Sequence, residues 1–134
     1  MPTITDIEGI GGTYANKLRK AGVRTTEALL KRGGTSAARK ELAAATGLSA
    51  GLILEWVNRA DLYRIRGIGS EYSDLLEAAG VDTVRELSQR DPVNLFEKLT
   101  ATNEKKQKVR KMPTADQVKQ WVKQAKSLPR AVEY

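Results

Sequence analysis

A short stretch suited to anion binding occurs twice in the chain. Ile7-Glu8-Gly9-Ile10-Gly11 returns 58 residues later as Ile65-Arg66-Gly67-Ile68-Gly69. The frame behind each copy recurs as well: Tyr14 and Tyr72, Leu18 and Leu76, Ala21-Gly22-Val23 and Ala79-Gly80-Val81, Thr25 and Thr83, Leu29 and Leu87. Two glycines around an apolar residue, ahead of a helical pattern, suggest a compact turn that leaves backbone amides bare at a helix start. Such a start carries partial positive charge and unpaired N–H groups, which suits a phosphate. Glycine serves there in two ways, by permitting positive φ and by presenting no side chain to a ligand. Ile10 and Ile68 would point inward and pin each turn to the core. In the first copy the expected contacts are Gly9, Gly11, Gly12 and Thr13, with Lys17 and Lys20 behind them. In the second they are Gly67, Gly69 and Ser70.

Charge separates the two copies. The chain holds 23 Lys and Arg against 16 Asp and Glu, a formal net charge of +7, which favours a polyanionic partner. Residues 7–32 carry six basic and two acidic side chains, whereas residues 65–90 carry three basic and five acidic ones. Glu71, just behind the second turn, would repel an incoming phosphate. Residues 104–134 carry nine basic against three acidic side chains. Lys105, Lys106, Lys108, Arg110 and Lys111 form the densest part of that run and are a further candidate contact group.

There is no Cys and no His. Disulfides, thiolate metal sites, Cys or His nucleophiles and imidazole acid–base chemistry are therefore excluded. No clustered carboxylates suggest a metal site, and no cofactor is expected. The apolar runs are short and the start of the chain lacks a basic-then-apolar signal pattern, so neither export nor a membrane span is indicated. A cytoplasmic location is expected.

The elements that must position these residues read as helices throughout. A helix after Gly12-Thr13, with Tyr14, Ala15, Leu18 and Ala21 on one side, ends at Gly22. Thr25 offers an N-cap to a short helix with Ala28, Leu29 and Leu30 inward. Ser36 caps a third helix, 37–46, closed by Gly47, and Ser49 caps a fourth carrying Leu52, Ile53, Trp56, Val57 and Ala60. In the second half Ser70 and Gly80 bracket one helix, and Thr83-Val84-Arg85-Glu86 reads as a capping box for the next. Asp91-Pro92 open a helix to about Thr102, where Asn103 would take the terminal turn. Thr114-Ala115-Asp116-Gln117 is a second capping box, for a last helix with Val118, Trp121, Val122, Ala125 and Leu128 on one face.

Trp56-Val57-x-x-Ala60 matches Trp121-Val122-x-x-Ala125 at an offset of 65 rather than 58, which places a seven-residue insertion near the basic run 104–111. No stretch alternates as a strand would. The expected fold is all-α, a tandem duplication giving about eight short helices in one compact domain, with halves 1–64 and 65–134.

The pattern apolar-x-Gly-apolar-Gly, followed by Leu-x-x-Ala-Gly-Val, resembles the helix-hairpin-helix superfamily over Ile7–Val23 and Ile65–Val81. With the second helix pair of each half, the chain also looks like a small prokaryotic family of unknown function built from duplicated hairpins. The resemblance implies a double-hairpin fold and sequence-independent contact with the DNA backbone, sometimes with a monovalent cation at the hairpin carbonyls. It does not imply an enzyme. DNA-binding members often carry a Pro-Lys or similar basic pair after the second glycine, where this chain has Gly12-Thr13 and Ser70-Glu71.

Each motif has a plainer reading beside the functional one. The glycines would also permit a tight bend with no ligand. Tyr14 and Tyr72 could stack on a base, but their place on the inward stripe favours packing. Trp56 and Trp121 sit among apolar residues at helical spacing, as core anchors do. The run 105–111 could be a solvated loop, and Lys119, Lys123 and Lys126 share the outer face of any surface helix. Asp61 and Asp91 read as caps or surface charges. The function expected is non-enzymatic, sequence-independent nucleic-acid binding, with duplex DNA favoured, through the first turn and the basic C-terminal segment. The alternative is a protein-interaction adaptor that works with a nucleic-acid enzyme and docks through the acidic second hairpin.

Overall fold

The computed structural model describes residues 2–134, and across them the chain is all-helical. A 3-10 turn, Ile4–Asp6, precedes eight α-helices: α1 (Gly12–Lys20), α2 (Thr26–Arg32), α3 (Ser36–Thr46), α4 (Ala50–Leu62), α5 (Ser70–Ala78), α6 (Val84–Ser88), α7 (Pro92–Lys106) and α8 (Ala115–Ser127). Among the described residues the sole extended pairing is an isolated bridge between Thr3 and Thr25. No helix among them is long and apolar enough to cross a membrane. The chain divides into two compact units, Met1–Asp61 with Ala131–Tyr134, and Leu62–Arg130.

In the first unit α1 and α2 both pack on α3. Ala15, Leu18, Leu29, Leu42, Ile53, Trp56 and Val57 are buried, which follows the three- and four-residue spacing of each apolar stripe. Ile4 N–H donates to the Arg24 carbonyl at 3.2 Å and Thr26 N–H to the Pro2 carbonyl at 3.3 Å, which pins the 3-10 turn beside the α1–α2 link. The chain end closes the unit. Arg39, 5% exposed, donates to the carbonyls of Gly33 at 2.9 Å and Glu133 at 2.8 Å, and Glu133 N–H donates to the Gly34 carbonyl at 2.7 Å. A buried guanidinium is thus satisfied by backbone carbonyls, one of them at the negative end of α2.

In the second unit α8 packs on α6 and α7, and α5 on α7. Leu75, Leu76, Leu87, Leu95, Leu99 and Trp121 belong to one buried cluster.

Most helix ends lie where side-chain chemistry places them. Thr25, Ser49, Asp91 and Thr114 each accept an amide three residues on, at 3.0, 3.1, 3.0 and 3.1 Å, and Gln117 completes the box at Thr114 with a 2.8 Å bond. Four details differ from the sequence reading. The third helix is capped by Thr35, whose backbone is extended and whose hydroxyl accepts from the Ala38 amide at 3.1 Å, and Ser36 is already helical. Glu86 reaches the amide of Asp82 at 3.5 Å rather than that of Thr83, so that box is half made. α7 runs past Asn103 to Lys106 and ends at Gln107, which takes a left-handed φ of 48°. Asn103 instead holds both backbone groups of Val109, at 3.0 and 3.1 Å. Asp61 is neither a cap nor a surface charge: it follows Val57 by one turn on the inward face, is 2% exposed and is partnered.

The first glycine of each turn is required by the backbone. Gly9 and Gly67 both sit at φ +94°, where an added Cβ strains any residue. A Cβ on Gly67 would also come within 3.1 Å of Trp121 Nε1, against 3.8 Å between Gly9 and Trp56 Nε1. Both alanine variants should lose at least about 1–2 kcal/mol, and Gly67→Ala should lose more. Thermal unfolding of the two variants, ranked against the parent chain, checks the order.

Candidate nucleic-acid contact sites

Each turn is built by short-range bonds ahead of a helix. In the first, Ile7 N–H donates to the Ile4 carbonyl at 3.2 Å and Ile10 N–H to the Ile7 carbonyl at 3.1 Å. Ile7 and Ile10 are buried, so the intervening Gly9 is pushed outward. Gly11 is then the N-cap of α1, at φ −88° and ψ −171°, with no side chain capping the helix. Gly9 and the run Gly11-Gly12-Thr13 are exposed. Nothing lies within 4 Å of a Cβ built on Gly11 or Gly12, and neither has positive φ. The protein's own packing therefore does not demand glycine at either place, in contrast to Gly9. Open space stands over the amides that a helix start leaves unpaired.

Lys17 and Lys20 are exposed on α1 but lie beyond the turn. Lys20 ends the helix, about 12 Å along its axis from Gly12 at 1.5 Å per residue. Lys17, Arg19 and Lys20 also occupy the last turn of α1, where cations favour the helix dipole. Arg32 is committed elsewhere: its Nη1 donates to the Ala21 carbonyl at 2.7 Å and closes the end of α1.

The second turn repeats the backbone and changes the surface. Ile65 N–H donates to Leu62 O and Ile68 N–H to Ile65 O, at 3.1 and 3.2 Å, and Gly69 caps α5 at φ −111°. Gly67 and Gly69 are exposed and Ser70 is partly buried. Glu71 stands exposed in the first turn of α5, where its carboxylate answers the helix dipole in place of a phosphate. Arg90 Nη2 donates to the Gly80 carbonyl at 3.2 Å, the counterpart of Arg32.

The aromatic pairs match as well. Tyr14 and Trp56 have ring centroids 5.2 Å apart at 57°, and Tyr72 and Trp121 lie 5.3 Å apart at 51°. Both tryptophans are core residues, while Tyr14 remains 37% exposed over its partner.

The basic run 104–111 is half helix and half loop. Lys105 and Lys106 lie in the last turn of α7, and Lys108, Arg110 and Lys111 lie in the segment beyond it. Buried Val109 anchors that segment. Lys108 Nζ pairs with Asp74 of α5 at 3.5 Å, and Tyr72 Oη donates to the Lys111 carbonyl at 3.1 Å. The insertion therefore folds against α5 and partly offsets its acidity. The structure brings Gly9, Gly11, Gly12 and Thr13 together at the first turn and sets Lys17 and Lys20 farther along α1, while in the second unit the basic run meets α5, the helix that Gly69 caps.

A cationic cleft of the second unit escaped the sequence reading. It measures about 410 Å³ and is lined by Arg64, Arg66, Gln120, Gln124, Ser127 and Leu128. The Gln124 side chain accepts from Arg66 N–H at 2.9 Å and donates to Arg66 O at 3.4 Å, so it clamps the second turn to α8. The spacing of Gln120, Gln124 and Ser127 on one helical stripe was visible in the sequence, but nothing local sets the arginines opposite it. The recurrence of Arg32 and Arg90 at the 58-residue offset, by contrast, was a signal that could have identified them as helix-end donors.

No curated protein and no solved structure matches the chain. A family model does match over residues 8–128, which span both turns, the basic run and the whole of α8. The chain thus belongs to a family described as a domain of unknown function, DUF4332.

Proposed function

We propose that the chain is a non-enzymatic, helix-hairpin-helix type module that binds nucleic acid, duplex DNA above all, through backbone phosphates and without reading sequence. The first turn supplies bare amides with Lys17 and Lys20 behind them. Lys105, Lys106, Arg110 and Lys111 supply charge in the second unit, where Lys108 is partly neutralised by Asp74. The observation that carries this reading is glycine at 11 and 12, where backbone angles and space would admit other residues. Phosphate contacts position a protein on a duplex without specifying sequence. The competing adaptor reading, through the acidic second hairpin, draws less support because Lys108 offsets part of that acidity.

Gly12→Ala separates fold from function. Alanine in a helical position is worth up to about 1 kcal/mol over glycine, so the variant should be at least as stable as the parent. Its new Cβ should nonetheless crowd a phosphate and weaken duplex binding. Fluorescence anisotropy at low and moderate salt, beside a melting curve, reads both. The reading is overturned if the parent chain retains no DNA at low salt.

A further inference from the structure

We infer that the cleft between the second turn and α8 holds a phosphodiester of the bound nucleic acid, so that the second unit makes its contact there and not at the amides of Gly69 and Ser70. This rests on the nucleic-acid reading above and deepens it. Two guanidinium groups, two amides and one hydroxyl line the cleft, and no carboxylate does. Arg64 Nη2 donates to the Pro129 carbonyl at 2.6 Å, which fixes its head over the end of α8 and offsets the negative dipole there. Gln124 and Ser127 are occupied with backbone carbonyls or amides. The Arg66 guanidinium and the Gln120 amide make no hydrogen bond or ion pair among the described residues and remain open to a ligand. A planar guanidinium donating two parallel N–H groups is the geometry that phosphate oxygens accept.

The surroundings favour a repeated anion over a peptide. Lys119, Lys123 and Lys126 each precede one residue of the cleft stripe, Gln120, Gln124 and Ser127, and all three lysines are exposed. Cations that recur at one helical spacing suit a backbone of identical charges. Protein partners are usually anchored by an aromatic or aliphatic side chain in a fitted pocket, and Leu128 is the sole apolar lining residue. At the second turn, meanwhile, Glu71 already occupies the dipole of α5.

The test is a charge pair at an exposed position, read on the full chain with a labelled duplex. Gln120→Glu should weaken binding by about fivefold or more, and Arg66→Ala by about eightfold with a salt slope shallower by about 0.9, the value of one phosphate contact. Gln120→Lys should bind at least as tightly as the parent. Val93→Glu, exposed near the start of α7 and outside both the cleft and the basic run, makes the same change in net charge and should alter affinity by less than about twofold. Melting curves unchanged by Gln120→Glu keep folding out of the result. Equal losses for Gln120→Glu and Val93→Glu overturn the cleft contact and leave the nucleic-acid reading standing. A parent chain that binds no duplex overturns both. Polyglutamate binding that Arg66→Ala abolishes, with no effect of that variant on duplex, replaces the phosphodiester by an acidic peptide.

Discussion

Trp121→Ala is expected to destabilise the second unit by about 3–5 kcal/mol, the usual cost of truncating a buried aromatic to alanine. Trp121 is 2% exposed and stands in a cluster with residues from α5, α6 and α7. Its indole faces the Tyr72 ring at a centroid distance of 5.3 Å, and such pairs add about 0.5–1.5 kcal/mol beyond burial. It also lies directly under Gly67, where even one added carbon would approach its Nε1 to 3.1 Å. Truncation therefore removes the floor of the turn as well as a core side chain. A loss of this size is a large part of the roughly 5–15 kcal/mol that small domains hold in total. Urea unfolding followed by circular dichroism should show a lower midpoint. Trp121→Phe should recover much of the loss by refilling the cavity. A shift of less than about 1 kcal/mol for the alanine variant would show that α8 is not the support of the second turn.

Lys17→Glu with Lys20→Glu is expected to produce the largest change in DNA binding. Each phosphate contact contributes a factor of about eight at 0.1 M salt relative to 1 M, from a slope of about 0.9 per contact. Losing two contacts therefore weakens binding about 60-fold, and the reversed charges add repulsion to that. Both side chains are exposed. Their structural share is confined to the dipole at the end of α1, worth about 0.3–1 kcal/mol each. A melting curve accounts for that share, and anisotropy titrations at several salt concentrations give the affinity and the slope. An unchanged affinity, with the fold intact, would remove the first hairpin from the interface and leave the basic segment of the second unit as the contact. Gly12→Ala then distinguishes amide contacts from lysine contacts, because it alters shape and leaves charge alone.

The sequence by itself determined what depends on near neighbours. The all-helical class, the eight helices and the caps at Thr25, Ser49, Asp91 and Thr114 follow from i, i+3 and i+4 relations that a string of residues displays directly. The positive φ at Gly9 and Gly67 is legible for the same reason, since each turn closes within four residues. The inward Ile10 among exposed Gly9, Gly11, Gly12 and Thr13 was legible too, because these residues are consecutive or nearly so.

Tertiary structure decided whatever depended on a distant partner. Charge counting set Arg32, Arg39 and Lys108 among the free cations or left them unremarked, yet Arg32 closes α1, Arg39 ties Gly33 to Glu133, and Lys108 answers Asp74. Asn103 looked like a helix end because its type favours one, yet α7 runs on to Lys106 and Asn103 holds Val109, six residues on, instead. Gly11 and Gly9 look alike as letters. Only the fold shows that backbone strain requires one of them while open space surrounds the other. The cleft is the furthest case, since Arg66 and Gln124 are 58 residues apart and meet only when α8 packs beneath the second turn. A sequence records a residue's charge and its near neighbours, and folding determines which of those charges are already spent.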